Sequence, residues 1–271
     1  MAETLAWRRL TPFGVEIDRD VSQPLGAAET EQLRVWLRDD GLILARGQSL
    51  SMERQQEVCA LFGSILLRQG EDGYMSNEGG GPAASELKWH SDAAYTEHPF
   101  DALSLHALEV VDDASSTRFM SAELGYETLP TSLRDALAGC EQEMIAPHYT
   151  MLAERTCDRR NPEAHKRGVM PAVYVNPHNG RSCVWVNELQ TVRLLGMEWE
   201  EGRDLLHAVY DHLYAPANVL EHRWRNGDVI IWDNIALQHA RSNLDRVGKR
   251  LLQRVIVGTE GVAPHVARTD D

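Results

Sequence analysis

No run of apolar residues in this chain approaches the ~20 needed to cross a bilayer as a helix, so no membrane span is expected. The opening residues, MAETLAWRRL, lack the apolar block of a secretory signal, and the expected location is the cytoplasm. Cysteine is scarce: Cys59, Cys140, Cys157 and Cys183 are far apart and form no CxxC pair, which reads as reduced thiols. Positive charge is also in deficit, with 27 Lys and Arg against 41 Asp and Glu and a formal charge of −14. Nucleic acid needs a basic face to meet its phosphates, so it is not an expected partner, and neither is an anionic membrane. An anionic substrate would need positive potential built locally against that background, so arginines at a site become the feature to look for. Internal repeats and long low-complexity linkers are lacking too. The 271 residues, 43% of them hydrophobic, are expected to form a single soluble domain over 1–271.

What is present is a succession of short strands with a few helices. The first third reads as strand–helix–strand–helix. TEQLRVWLRDDG (30–41) sets Leu33, Trp36 and Leu37 on one helical face and stops at Gly41. GLILA follows as a buried strand, then SMERQQEVCALFG (51–63) as a second helix ending at Gly63. The glycine-rich stretch 70–86 and the charged stretch AERTCDRRNPEAHKRG (153–168) have no apolar period. They read as loops, with lids expected near 70–86 and 150–170. ALSLHALEVV, TRFMSA and KRLLQRVIVG read as strands. Asn179-Gly180 and Asn226-Gly227 each separate two β-type runs and read as hairpin turns. EGRDLLHAVYDHLY (201–214) is an amphipathic helix. The expected class is mainly β with flanking helices (α+β), a sandwich or jelly roll.

The stretch KWHSDAAYTEHP (88–99) holds the first chemical signal. His90 and Asp92 are two apart, which on a strand turns both to one face. In a chain with 11 histidines the pair alone is no more than a polar strand end. A third ligand, His239 in WDNIALQHARSN, would complete two imidazoles and a carboxylate, the facial triad of non-heme Fe(II) oxygenases. Zinc hydrolases use the same donors, so the triad does not choose the metal. Arg250 and Arg254 discriminate: four apart, they share one strand face. A 2-oxoglutarate bound to iron has a distal carboxylate that a planar guanidinium suits best, whereas a zinc hydrolase has no such need.

These segments resemble the taurine dioxygenase family of Fe(II)/2-oxoglutarate-dependent oxygenases, which includes 2,4-dichlorophenoxyacetate and alkylsulfatase-type members. The motifs occur in order nearly end to end: LFGSI, WHSD, SSTRFMSAELGYETLP, VWVNELQTVR, RWRNGDVIIWDNIALQHAR and KRLLQR. The resemblance implies a double-stranded β-helix (a cupin-like jelly roll), Fe(II), and 2-oxoglutarate and O2 as cosubstrates. It implies iron ligands His90, Asp92 and His239, and Thr117 with Arg250 on the distal carboxylate of 2-oxoglutarate. Arg254 falls where sulfonate-using members bind the anionic end of the primary substrate, and Trp232 and Tyr95 fall on the cavity wall. Family members that take taurine carry a histidine at Arg68 and an aromatic at Gln190. Both departures imply a more polar pocket than one for taurine. A homo-oligomer, dimer or tetramer, is a further implication.

The expected reaction converts 2-oxoglutarate to succinate and CO2 while hydroxylating a small, anionic organic substrate. Fragmentation at a C–S or C–O bond or desaturation would follow from the same chemistry. Retention of Asp92 argues for hydroxylation over halogenation, which needs that coordination position for a halide. A zinc-type hydrolase with the same ligands and a non-catalytic small-molecule binding protein on the same fold are the alternatives. His98 has no role beyond that of a surface or supporting histidine.

Overall fold

Strand alternation sorts the side chains into layers. In the computed structural model, which describes residues 5–67, 73–78, 84–146, 155–158 and 167–259, two sheets face each other. The larger has the order β1 (Ala6–Arg9), β2 (Val15–Asp18), β3 (Leu42–Ala45), β14 (Val229–Asp233), β6 (Ala102–Val110), β16 (Arg250–Val257) and β4 (Tyr74–Ser76). The smaller runs β13 (Val219–Arg223), β7 (Ser116–Ser121), β15 (Leu237–Arg241) and β5 (Leu87–His90). A third sheet, β12 (Thr191–Leu194), β8 (Glu141–Ile145) and β9 (Arg167–Pro171), and a hairpin of β10 (Val173–Val175) and β11 (Ser182–Val184) extend the structure.

On β14, Ile230 and Trp232 point between the two main sheets, where they meet Leu103, Leu105, Phe119, Leu237, Leu252 and Ile256. Val229 and Ile231 point the other way, onto α1 (Ala27–Asp40) and α2 (Met52–Cys59). α5 (Trp199–Leu213) covers the outer face of the smaller sheet through Leu206, Val209, Tyr210 and Leu213, against Met120 and Ala240. Two face-to-face sheets with helices outside make the jelly roll expected from the strand pattern. Two short helices between β7 and β8, α3 (Ala122–Thr128) and α4 (Thr131–Leu137), were not expected from the periodicity. Among the described residues, no helix is long and apolar enough to cross a membrane.

α1 buries Leu33, Trp36 and Leu37 and ends at Gly41, whose φ of 74° closes it with an N–H to the Leu37 carbonyl. α2 stops earlier than expected, at Cys59 with Ala60 as cap. Gly63 serves packing instead: a Cβ there would lie 2.8 Å from Val257 Cγ1. The Asn179-Gly180 hairpin forms as expected, as β10 against β11. The Asn226-Gly227 turn does not make a hairpin. β13 pairs with β7 while β14 pairs with β3 and β6, so this turn carries the chain from one main sheet to the other. About half of the 70–86 lid and most of the 150–170 lid lie outside the described residues. Of the parts that are described, Tyr74–Ser76 is not loop but edge strand β4 on β16, and Thr156–Asp158 is a single 3-10 turn with Thr156 and Cys157 buried.

Candidate metal centre and active site

His90 is the last residue of β5, and Trp89 before it packs outward under α5, so the imidazole turns into the sandwich. Its Nδ1 donates to the Lys88 carbonyl at 2.8 Å, which turns Nε2 toward the interior and Asp92. β15 pairs antiparallel with β5 in a register that sets His239 directly opposite, with ring centroids 4.1 Å apart. Asp92 Oδ1 lies 3.2 Å from His90 Nε2 and 3.9 Å from His239 Nε2. One donor atom from each of the three falls within 4.8 Å of the others, so the group could hold a metal ion. Ligands at about 2 Å from a shared ion lie no more than about 4 Å apart, which both separations from Asp92 Oδ1 meet.

The aspartate arrives by a different route from the one its spacing suggested. β5 ends at His90, and Asp92 sits in the turn that follows. Asn234 places it, accepting the Asp92 N–H at 2.9 Å and donating to the Asp92 carbonyl at 2.9 Å.

Protonation suits a cation. Burial, then the charge of His90, pulls the His239 pKa down to about 3 against the pull of Asp92, with Arg254 and Arg241 adding to the effect. Burial raises the Asp92 carboxyl, but the His90 hydrogen bond and the charges of His239, His90 and Arg254 hold it well below the usual carboxylate range. A neutral imidazole and an ionised carboxylate are the forms that bind metal.

A second polar group lies deeper between the sheets. Arg250, only 2% exposed, shares the inward face of β16 with Leu252, Arg254 and Ile256. Its Nε has no hydrogen-bond partner, and no carboxylate pairs with it among the described residues. Burial, then Arg241, pulls its pKa down, as expected for a cation awaiting an anion. Trp224 stacks 6.0 Å from its Cζ and donates Nε1–H to Thr117 Oγ1 at 3.0 Å. Thr117 therefore keeps its own hydroxyl hydrogen to donate. Thr117 and Arg250 thus both lie against Trp224 in the buried interior.

The other expected residues are distributed around these two centres. Arg254 is partly buried, and its charge is felt at both Asp92 and His239. Trp232 sets its ring edge-on to His239 at 5.1 Å. Tyr95 packs with an apolar cluster of Ala94, Met144, Trp185 and Ile235 beside the Asp92 turn. Gln190 is buried and tied to Asn187, taking its Nδ2 at 3.0 Å and giving its own N–H to Asn187 Oδ1 at 2.8 Å. That amide braces its own loop, which is pinned to β5 by the Leu189 N–H on the Trp89 carbonyl. Arg68 lies outside the described residues, and His98 is exposed. Asn234, Trp224 and Arg241 were missed. Arg241, two residues after His239 on the same face of β15, donates to the Ser85 carbonyl at 2.8 Å. Strand alternation from His239 could have found it.

A family model described as "Taurine catabolism dioxygenase TauD, TfdA family" matches residues 6–256. The chain belongs to this family. Among its curated relatives is the alpha-ketoglutarate-dependent 2,4-dichlorophenoxyacetate dioxygenase of Cupriavidus pinatubonensis, 26% identical over 89% of this chain and 92% of that protein. The alpha-ketoglutarate-dependent sulfate ester dioxygenase of Pseudomonas putida is 25% identical over 92% of this chain and 88% of that one. The crystal structure of a taurine dioxygenase from Burkholderia xenovorans superimposes with a TM-score of 0.79 at 22% identity, covering 97% of this chain and 94% of that one. It shares the jelly-roll fold with this member of the TauD/TfdA family.

Proposed function

We propose that this chain is an Fe(II)/2-oxoglutarate-dependent dioxygenase that hydroxylates a small anionic organic substrate. The observation that carries this reading is the convergence of His90, Asp92 and His239, together with a buried Arg250 that no carboxylate pairs among the described residues. Iron held there would supply activation of O2 coupled to decarboxylation of 2-oxoglutarate to succinate and CO2. His90, Asp92 and His239 would hold that ion. Thr117 and the Arg250 fork orient the distal carboxylate of 2-oxoglutarate, the guanidinium providing parallel N–H donors in a site shielded by Trp224. Arg254, two strand repeats further along the same face, receives the anionic end of the primary substrate. Trp232 and Tyr95 supply apolar wall, keeping water from the reacting C–H.

Support for the substrate class comes from relatives named for a 2,4-dichlorophenoxyacetate, an alkylsulfate and a sulfate ester, all anions. A zinc hydrolase would leave Arg250 and Thr117 without a task. The test is a decarboxylation screen: succinate formation with Fe(II), ascorbate and 2-oxoglutarate across sulfonates, sulfate esters, aryloxyacids and amino acids. The expected result is turnover that needs Fe(II), O2 and 2-oxoglutarate together. Product formed with zinc and no 2-oxoglutarate would overturn the reading. Product analysis on the active substrate then separates hydroxylation from fragmentation and desaturation.

A further inference from the structure

The metal site takes its carboxylate from outside regular structure. Asp92 lies in a turn whose next residue, Ala93, has φ of 58°, a left-handed conformation uncommon for a residue with a side chain. No ladder hydrogen bond aims Asp92 at the two imidazoles, so its direction depends on what grips the turn. Asn234 is that grip. Besides its two bonds to Asp92, its Nδ2 donates to the Phe100 carbonyl at 3.0 Å, and its backbone N–H donates to the Asp101 carbonyl at 3.0 Å. The Asp92 turn, the start of β6 and the end of β14 therefore meet at one amide.

Behind that amide stands a charged bridge. Asp233 Oδ1 accepts the N–H groups of Ile235 at 2.8 Å and Ala236 at 2.9 Å, closing the turn that leads from β14 into β15. Its Oδ2 faces His178 Nδ1 at 3.3 Å and Asn176 Nδ2 at 3.2 Å. The other ring nitrogen of His178, Nε2, lies 3.3 Å from Asp101 Oδ1. A histidine can donate from both nitrogens only as the imidazolium. The hydrogen bonds to Asp101 and then Asp233 favour that form, raising the pKa to about 10 against burial. The remaining charged groups nearby are engaged: Glu123 takes Asn176 Nδ2 at 3.0 Å, Asn179 Nδ2 at 2.7 Å and Arg181 at 3.2 Å. The Tyr174 phenol is kept neutral by its burial, with Asp101 adding to the effect.

We propose that His178 is a positioning residue for the metal centre: by joining Asp233 to Asp101 it fixes the two segments that Asn234 ties to Asp92. This rests on the reading of Asp92 as a metal ligand proposed above. His178 touches neither metal nor substrate and acts through the Asp101–Asn234–Asp92 chain.

The test is Mn(II) binding to the metal-free full chain, by titration calorimetry without 2-oxoglutarate, in four proteins. These are the wild type, His178→Gln, Asp101→Asn and Val209→Ala. Glutamine has a single donor group and cannot bridge both carboxylates. Asp101 is 39% exposed, so its asparagine variant weakens one arm without emptying a buried site. Val209→Ala loosens the core under α5, away from the bridge, as a control for general stability. The expected result is a Mn(II) dissociation constant raised about 10–100-fold in His178→Gln, the range for residues that support metal ligands, and by a smaller factor in Asp101→Asn. Val209→Ala should melt earlier with unchanged Mn(II) affinity. Wild-type affinity in both bridge variants overturns the proposal whatever their melting temperatures, and so does an equal loss in Val209→Ala. If His178→Gln does not fold, Asp101→Asn decides by itself. A wild type that takes no Mn(II) overturns the metal assignment as well, which separates that failure from a failure of His178 alone.

Discussion

His90 and His239 are directly opposed across the antiparallel pair β5–β15, their rings 4.1 Å apart. Two buried imidazoles this close to one carboxylate could hold a divalent cation. Replacing one ligand leaves a cation two donors and opens its shell to water. His239→Ala and Asp92→Ala should each lower succinate formation by at least about 100-fold, more than residues behind the ligands typically cause. Fe(II)-dependent turnover at saturating 2-oxoglutarate checks this, and full activity in Asp92→Ala would end the assignment.

Arg250 and Arg254 lie on one face of β16 at different depths, and their variants should separate. Arg250→Ala should raise the KM for 2-oxoglutarate about 10–100-fold, since hydrogen bonds to a charged group contribute roughly 1.5–3 kcal/mol. Arg250→Lys keeps the charge but loses the fork, and should fall between. Arg254→Ala should raise the KM of the primary substrate and leave that of 2-oxoglutarate nearly unchanged. Equal effects of the two alanine variants on both KM values would contradict the division.

Gly227 carries the turn between the main sheets at φ 79°, and a Cβ there would meet Gln48 O at 2.9 Å and Gln48 N at 3.0 Å. Gly47, at φ 63°, has nothing within 4 Å of such a Cβ. Both alanine variants bear the left-handed strain of roughly 1–3 kcal/mol, but only Gly227→Ala adds a backbone clash. Urea unfolding should show the greater loss in Gly227→Ala.

The raised pKa of His178 has a consequence for stability. Its folded-state value, about 10, lies above the ordinary histidine value of 6.5, so between these the native chain binds more protons than the unfolded one. The stabilisation from the bridge is complete below about pH 6.5 and is lost as pH rises through about 10. The melting temperature of metal-free wild type should fall over that interval. His178→Gln should lack this component, leaving a flatter profile in thermal scans from pH 6 to 10.

Much of this was legible because it is local. The burial of Leu33, Trp36 and Leu37, the left-handed stop at Gly41 and the shared face of Arg250 and Arg254 follow from helical and strand periods within one segment. The turn at Asn226-Gly227 was legible as a turn, yet its partners were not. Turn chemistry reports that the chain bends and says nothing of which strand it pairs with afterwards. Asp92 is the sharper case: the two-residue spacing suggested a strand face, while the residue reaches the site in a turn held by Asn234, 142 positions away.

The sequence by itself determined the chemical inventory: an acidic chain, two histidines and an aspartate in recognisable settings, and a pair of arginines on one strand. Tertiary structure decided the rest. The β5–β15 register put His239 opposite His90, Trp224 came to lie against both Thr117 and Arg250, and Asn234 gripped Asp92, with His178 behind it. Side-chain periodicity is set by neighbouring backbone geometry, whereas register is settled only when every buried polar group and apolar face finds its partner at once.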